Sequence, residues 1–111
     1  MDENRTQPAE PDRCQLCGRL ERLTRHHLIP RMRHRNKRVR RRFDRSEMQG
    51  RILRVCRPCH NHIHHVLSEK ELARHYNTRE RLLEHPEMRR FITWIAERPV
   101  GFKPRSRRMR R

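Results

Sequence analysis

Apolar residues along this chain come in short clusters separated by long polar runs, and the period of each cluster predicts a different element. The stretch Thr24 to Ile29 reads as a short strand stopped by Pro30. Ile52-Leu53-Arg54-Val55 reads as a second strand running into Cys56-Arg57-Pro58-Cys59. Pro58 stands where a helix would begin, because the first turn has no use for its missing N–H, and the helix runs to Leu67. Ser68-Glu69-Lys70-Glu71 has capping-box form and opens another helix, and Asn77-Thr78 interrupts the chain before a helical stretch Arg79 to Glu84. A last helix runs from Pro86 to about Glu97, with Met88, Phe91, Ile92 and Ile95 at helical spacing and Trp94 beside them. That stripe reads as packing. Pro99, Gly101 and Pro104 end the ordered part, and residues 1–12, with Pro8 and Pro11, read as a disordered lead-in. Two short strands and several helices predict an α+β fold, one domain over residues 13–97.

Composition sharpens this picture. Leu, Ile, Val and Phe supply only 21 of the 111 residues, a level that with high net charge normally signals disorder. A folded chain of this kind needs help beyond apolar burial, and four cysteines with nine histidines point to bound metal. No apolar run is long enough to span a bilayer, and no apolar segment of signal-peptide type follows Met1, so the expected location is intracellular and cytoplasmic, away from membranes.

Thirty Lys and Arg face thirteen Asp and Glu, for a formal net charge of +17. Nine of these bases lie in an arginine-rich insert, residues 31–45, and seven in a basic tail, residues 98–111, read as disordered. Arginine greatly outnumbers lysine, the choice expected where phosphate is gripped bidentately. Nucleic acid is the natural counter-surface. The candidate contacts are Arg31, Arg33, Arg35, Lys37, Arg38, Arg40, Arg41, Arg42 and Arg51. With few aromatics, base stacking is not expected to set sequence preference.

Cys14-x-x-Cys17 and Cys56-x-x-Cys59 form two CxxC pairs. Two such knuckles place four thiolates on a tetrahedron about 2.3 Å from one zinc, and such a site is closed and structural. Gly18 would supply the positive φ that the first knuckle needs. A pair of disulfides or a redox dithiol suits a secreted or thioredoxin-like chain instead, and neither context is present. Between the knuckles lie His26 and His27 at the end of the first strand, while His60 and His64 stand four apart on one helix face, where two imidazoles can share a metal.

Taken together, Cys-x-x-Cys, His26-His27-Leu28-Ile29-Pro30 and Cys56-Arg57-Pro58-Cys59-His60-x-x-Ile63-His64 resemble the HNH endonucleases in their four-cysteine zinc-bound form, over roughly residues 14–67. The resemblance implies a ββα-metal core, in which a β-hairpin and a helix clasp a divalent cation over the scissile phosphate, with additional C-terminal helices. It implies that His27 is the general base, that His26 and His60 are metal ligands, and that His64 acts at the metal or the phosphate. It also implies 5′-phosphate ends. The motif's central Asn would fall at Arg51, where the chain departs from the pattern.

The activity so expected is metal-dependent hydrolysis of DNA phosphodiester bonds, by nicking or double-strand cleavage, in a monomer or homodimer. An imidazole shell favours Mn²⁺, Ni²⁺, Co²⁺ or Zn²⁺ as the catalytic divalent cation, with Mg²⁺ possible if His64 serves the phosphate. The competing reading is a non-catalytic zinc module that binds DNA or RNA on a degenerate fold of the same kind. A third is a basic ribosome-associated zinc protein, which leaves the four histidines unexplained.

Overall fold

A computed structural model describes residues 11–105. Two two-stranded antiparallel sheets and six α-helices make up these residues. Strands β1 (Asp12–Arg13) and β2 (Leu20–Glu21) form a small hairpin, which holds the first CxxC at its tip. Gly18 has φ +82°, as the knuckle requires. Strands β3 (Leu23–His27) and β4 (Ile52–Cys56) pair with Leu23 opposite Cys56 and His27 opposite Ile52.

Between β3 and β4 the arginine-rich segment is helical. A single 3₁₀ turn (Arg31–Arg33) is followed by α1 (Lys37–Arg42) and α2 (Arg45–Gly50). Asn36 caps α1 by accepting from the Arg38 and Val39 amides, and Asp44 with Glu47 forms a capping box on α2. After β4 come α3 (Arg57–Val66), α4 (Glu69–His75), α5 (Arg79–Glu84) and α6 (Pro86–Ala96). Pro58 lies in the first turn of α3, and the Ser68–Glu71 box caps α4 as its sequence predicts.

Two apolar clusters organise the molecule. The larger joins Leu53 and Val55 of β4 to Ile63 of α3, Leu72, Leu82 and the Met88, Ile92 and Ile95 stripe of α6. The smaller gathers Ile29, Val39, Phe43, Met48 and Ala73, and it fastens the insert to α4.

Two boundaries read from sequence move. Asp12 belongs to β1 rather than to a lead-in, since it pairs with Glu21 in the hairpin that carries the first CxxC. Residues 98–105 lie against the body rather than apart from it. Arg19 donates to the Pro99 carbonyl at 2.7 Å, Glu21 accepts from the Gly101 amide at 2.8 Å, and Phe102 packs on the larger core. The remaining lead-in and tail, residues 1–10 and 106–111, lie outside the described residues. No helix among the described residues is long and apolar enough to cross a membrane.

Candidate metal centre

Two groups of potential metal-ligating side chains come together, one with Cys59 and the other with its neighbour His60. The first is Cys14, Cys17, Cys56 and Cys59, whose sulfur atoms all lie within 4.8 Å of one another. None is in a disulfide, and Cys17 Sγ and Cys56 Sγ are 3.8 Å apart. The cluster can hold a structural metal such as zinc.

At Cys14 the surroundings favour thiolate. Backbone amides of Leu16 and Cys17 donate to Cys14 Sγ at 3.4 Å, and that of Cys56 does so at 3.3 Å. The Cys14 thiol is held well below its ordinary value, chiefly by side-chain hydrogen bonds with Cys56 and Cys59 and further by the Cys17 and Cys56 amides. Four thiolates around Zn²⁺ leave two negative charges, and Arg19 is buried beside them. Its guanidinium approaches Cys56 Sγ at 3.9 Å and pairs with Glu21 at 3.2 Å. Sequence reading passed over Arg19, since one more arginine in this chain carries no signal until β2 turns it inward.

The second group is His26, His60 and His64, each offering a ring nitrogen within 4.8 Å of the others. Ring centroids are 5.3 Å apart for His26–His60 and His26–His64, and 5.1 Å for His60–His64. Antiparallel pairing explains the arrangement. Thr24 and His26 are two apart on β3 and so share one face with their cross-strand partners Val55 and Leu53. That face is buried under α3, on which His60 and His64 stand one turn apart.

His26 is 1% exposed, and neither of its ring nitrogens has a hydrogen-bond partner. An imidazole wholly buried without a partner is costly, and a metal ion coordinated by it removes the cost. Burial, then the neighbouring His60 and His64, pushes its pKa down to about 3, so the ring is neutral and its lone pair is free. Burial likewise pushes His60 down to about 4.

Thr24, which sequence reading also missed, orients the His60 ring. Its hydroxyl donates to the Val55 carbonyl at 2.9 Å and lies 2.7 Å from His60 Nδ1. The single hydroxyl proton being spent on the carbonyl, Thr24 accepts from His60 Nδ1–H, which leaves Nε2 as the ligating atom.

His27, one residue on, lies outside the three-imidazole group and faces the outer side of the hairpin with Arg25 and Arg54. It is half-buried at the cluster's margin, where its charge would be felt at both His26 and His60. Burial, then Arg31 and Arg25, lowers its pKa and keeps the ring neutral near pH 7. No hydrogen bond to its ring is found among the described residues.

The candidate phosphate contacts divide. Arg31, Arg35, Lys37, Arg38, Arg40, Arg41 and Arg42 are exposed, and Arg33 is half-buried. Arg42 also donates to the Arg74 carbonyl at 3.1 Å. Arg51 differs from the surface contact expected of it. Its guanidinium donates to the Asn77 carbonyl at 3.2 Å and to Asn77 Oδ1 at 3.1 Å, pairs with Glu47 at 3.4 Å, and lies 4.9 Å from the Phe43 ring centroid. It therefore braces the insert against the α4–α5 connection.

The chain is 36% identical over 90 residues to the uncharacterized protein YisB of Bacillus subtilis (strain 168), an overlap of 78% of this chain and 75% of YisB. The chain belongs to the YisB family. No protein-family model matches it, and no solved structure does.

Proposed function

We propose that the chain is a metal-dependent DNA endonuclease of HNH type, with His27 as general base. The observation that carries this reading is His26, buried with both ring nitrogens unpartnered and facing two further imidazoles. A binding module gains nothing from such an arrangement, whereas a divalent ion gives it a purpose. The topology supports the reading, because a hairpin and the helix that follows it supply the three ligands, and the four-cysteine cluster pins the start of that helix.

In the proposed reaction, His27 takes a proton from water, which attacks phosphorus in line. Held by His26, His60 and His64, a divalent ion would stabilise charge on the pentavalent phosphorus and on the departing 3′ oxygen. Thr24 keeps the His60 lone pair aimed at that position. Exposed arginines of residues 31–42 hold the flanking phosphates. Three imidazoles favour Mn²⁺, Ni²⁺, Co²⁺ or Zn²⁺ over Mg²⁺.

A second reading, a zinc-containing module that binds nucleic acid without cutting it, is favoured by Arg51. It stands where the motif has Asn and is engaged with Asn77, and no side chain orients the His27 ring. Supercoiled plasmid incubated with each metal, with chelator as control, separates the two. Relaxation that falls by about a hundredfold or more in His27→Ala, with zinc content unchanged, is the expected result. Equal DNA binding by both proteins with no cleavage under any metal would leave the second reading standing.

A further inference from the structure

Beside the imidazole cluster, a groove of about 810 Å³ runs between α3, α6 and the segment that follows α6. Pro58, Asn61, His62 and His65 form one stripe of α3 along it, and His64 also lines it, so this groove and the imidazole group share a side chain. The opposite wall is aromatic. Phe91 stacks on His62 with centroids 4.0 Å apart and planes 10° apart, Trp94 lies 5.9 Å from Phe91, and Phe102 meets Trp94 edge-on at 5.6 Å.

The chain has five Phe, Tyr and Trp residues, and three of them line this one groove. Packing alone would bury them. Trp94 is instead 40% exposed, with the Arg98 guanidinium 5.1 Å from its ring centroid. No acidic residue lines the groove, Arg105 stands at it, and the chain continues from there into four more arginines. An exposed π surface framed by arginine matches one chemistry, a nucleobase on a phosphate backbone. An apolar peptide would leave the arginines without counter-charge, and a continuous duplex keeps its base faces stacked on one another.

We propose that this groove stacks the unpaired bases of a DNA strand, so that the chain prefers single-stranded or locally unpaired DNA to continuous duplex. That the same strand presents its phosphate at His26, His60 and His64 rests on the nuclease reading; the stacking itself does not. It is compatible with the expectation that base stacking does not set sequence preference, since an aromatic face stacks on any base.

Trp94 is the sole tryptophan, so its emission reports on the groove directly. The test uses the full chain with its zinc and no other divalent ion, at one fixed salt concentration. The probes are oligodeoxythymidine of about 12 nucleotides and a blunt-ended duplex with no unpaired base, compared at equal nucleotide concentration. Single strand should quench Trp94 emission while duplex leaves it unchanged. By anisotropy of a dye-labelled strand, Trp94→Leu should weaken single-strand binding about tenfold, Trp94→Phe should retain most of it, and duplex binding should change by less than about twofold in either.

Saturating single strand without any change in Trp94 emission overturns the proposal. So does equal weakening of single-strand and duplex binding in a folded Trp94→Leu. The quench in the unaltered chain decides on its own if that variant fails to fold. Because no cleavage is read, a protein that stacks but never cuts sinks only the nuclease reading, and one that cuts but never stacks sinks only this one.

Discussion

His26 is where the chemistry of this molecule is most exposed to test, because a buried imidazole records its surroundings in its titration. In the unfolded chain it takes up a proton as pH falls below its ordinary value of 6.5, whereas in the fold it resists protonation down to about 3. Below pH 6.5 the unfolded state therefore binds more protons, and folding stability drops as pH falls through that window. The loss approaches about 1.4 kcal/mol per pH unit, and a bound ion, which also demands the neutral ring, acts with the same sign. Denaturant titrations of the wild type and His26→Leu should diverge in pH dependence between about pH 6.5 and 5, the variant being the flatter. Parallel curves would show that His26 is not held neutral. Thr24 offers a second residue-scale test. Thr24→Val keeps the shape of the side chain but releases His60 Nδ1, and should weaken Co²⁺ binding at the three imidazoles about 10- to 100-fold while leaving the cysteine cluster loaded. The four cysteines were legible from the spacing of the two CxxC pairs, and His60 and His64 from standing one turn apart on a helix, whereas spacing left His26 and His27 as alternatives and strand register separates them. Thr24 and Arg19 were not legible, since a threonine on a strand and an arginine among many acquire meaning only from strand register and burial.

At the scale of elements, β3, β4 and the helices α3 to α6 were readable because caps and apolar periods agree there. The insert was not, because its charge masked two weak signals. Asn36 and the pair Asp44 and Glu47 are helix-start residues, and Val39, Phe43 and Met48 are spaced to meet one side of the chain, yet arginine fills every position between Val39 and Phe43. Tertiary packing on Ile29 and Ala73 decides the matter, since helices this short are not stable alone. Arg51 ties the same unit to the α4–α5 connection through Asn77. Arg51→Ala removes two hydrogen bonds from a charged donor and its packing over Phe43, and should cost about 1–3 kcal/mol of stability by denaturant unfolding. A loss of nucleic-acid affinity with unchanged stability would return Arg51 to the surface role that its charge first indicated.

For the whole molecule, the decisive fact is that Cys59 and His60 are consecutive. The cysteine cluster joins the β1–β2 knuckle to the end of β4 and the first turn of α3, and the next residue of that turn belongs to the imidazole group. With only 21 Leu, Ile, Val and Phe residues and a net charge of +17, apolar burial works against strong self-repulsion, a shortfall that a metal held by the cysteine cluster would meet. A structural zinc contributes roughly 10 kcal/mol or more, comparable to the entire stability of a small domain. Stripping zinc with a strong chelator should therefore not yield a folded chain with one empty site. It should abolish the helical circular dichroism in one cooperative step and take Co²⁺ binding at His26, His60 and His64 with it, and zinc returned under reducing conditions should restore both. Replacing Cys59 by Ser should reproduce the loss without chelator, since it removes one of the four ligands at the point where the two centres meet. If the stripped chain kept its helical signal and still bound Co²⁺ at the imidazoles, the larger apolar cluster would be sufficient to hold α3 on the hairpin, and the two centres would be independent.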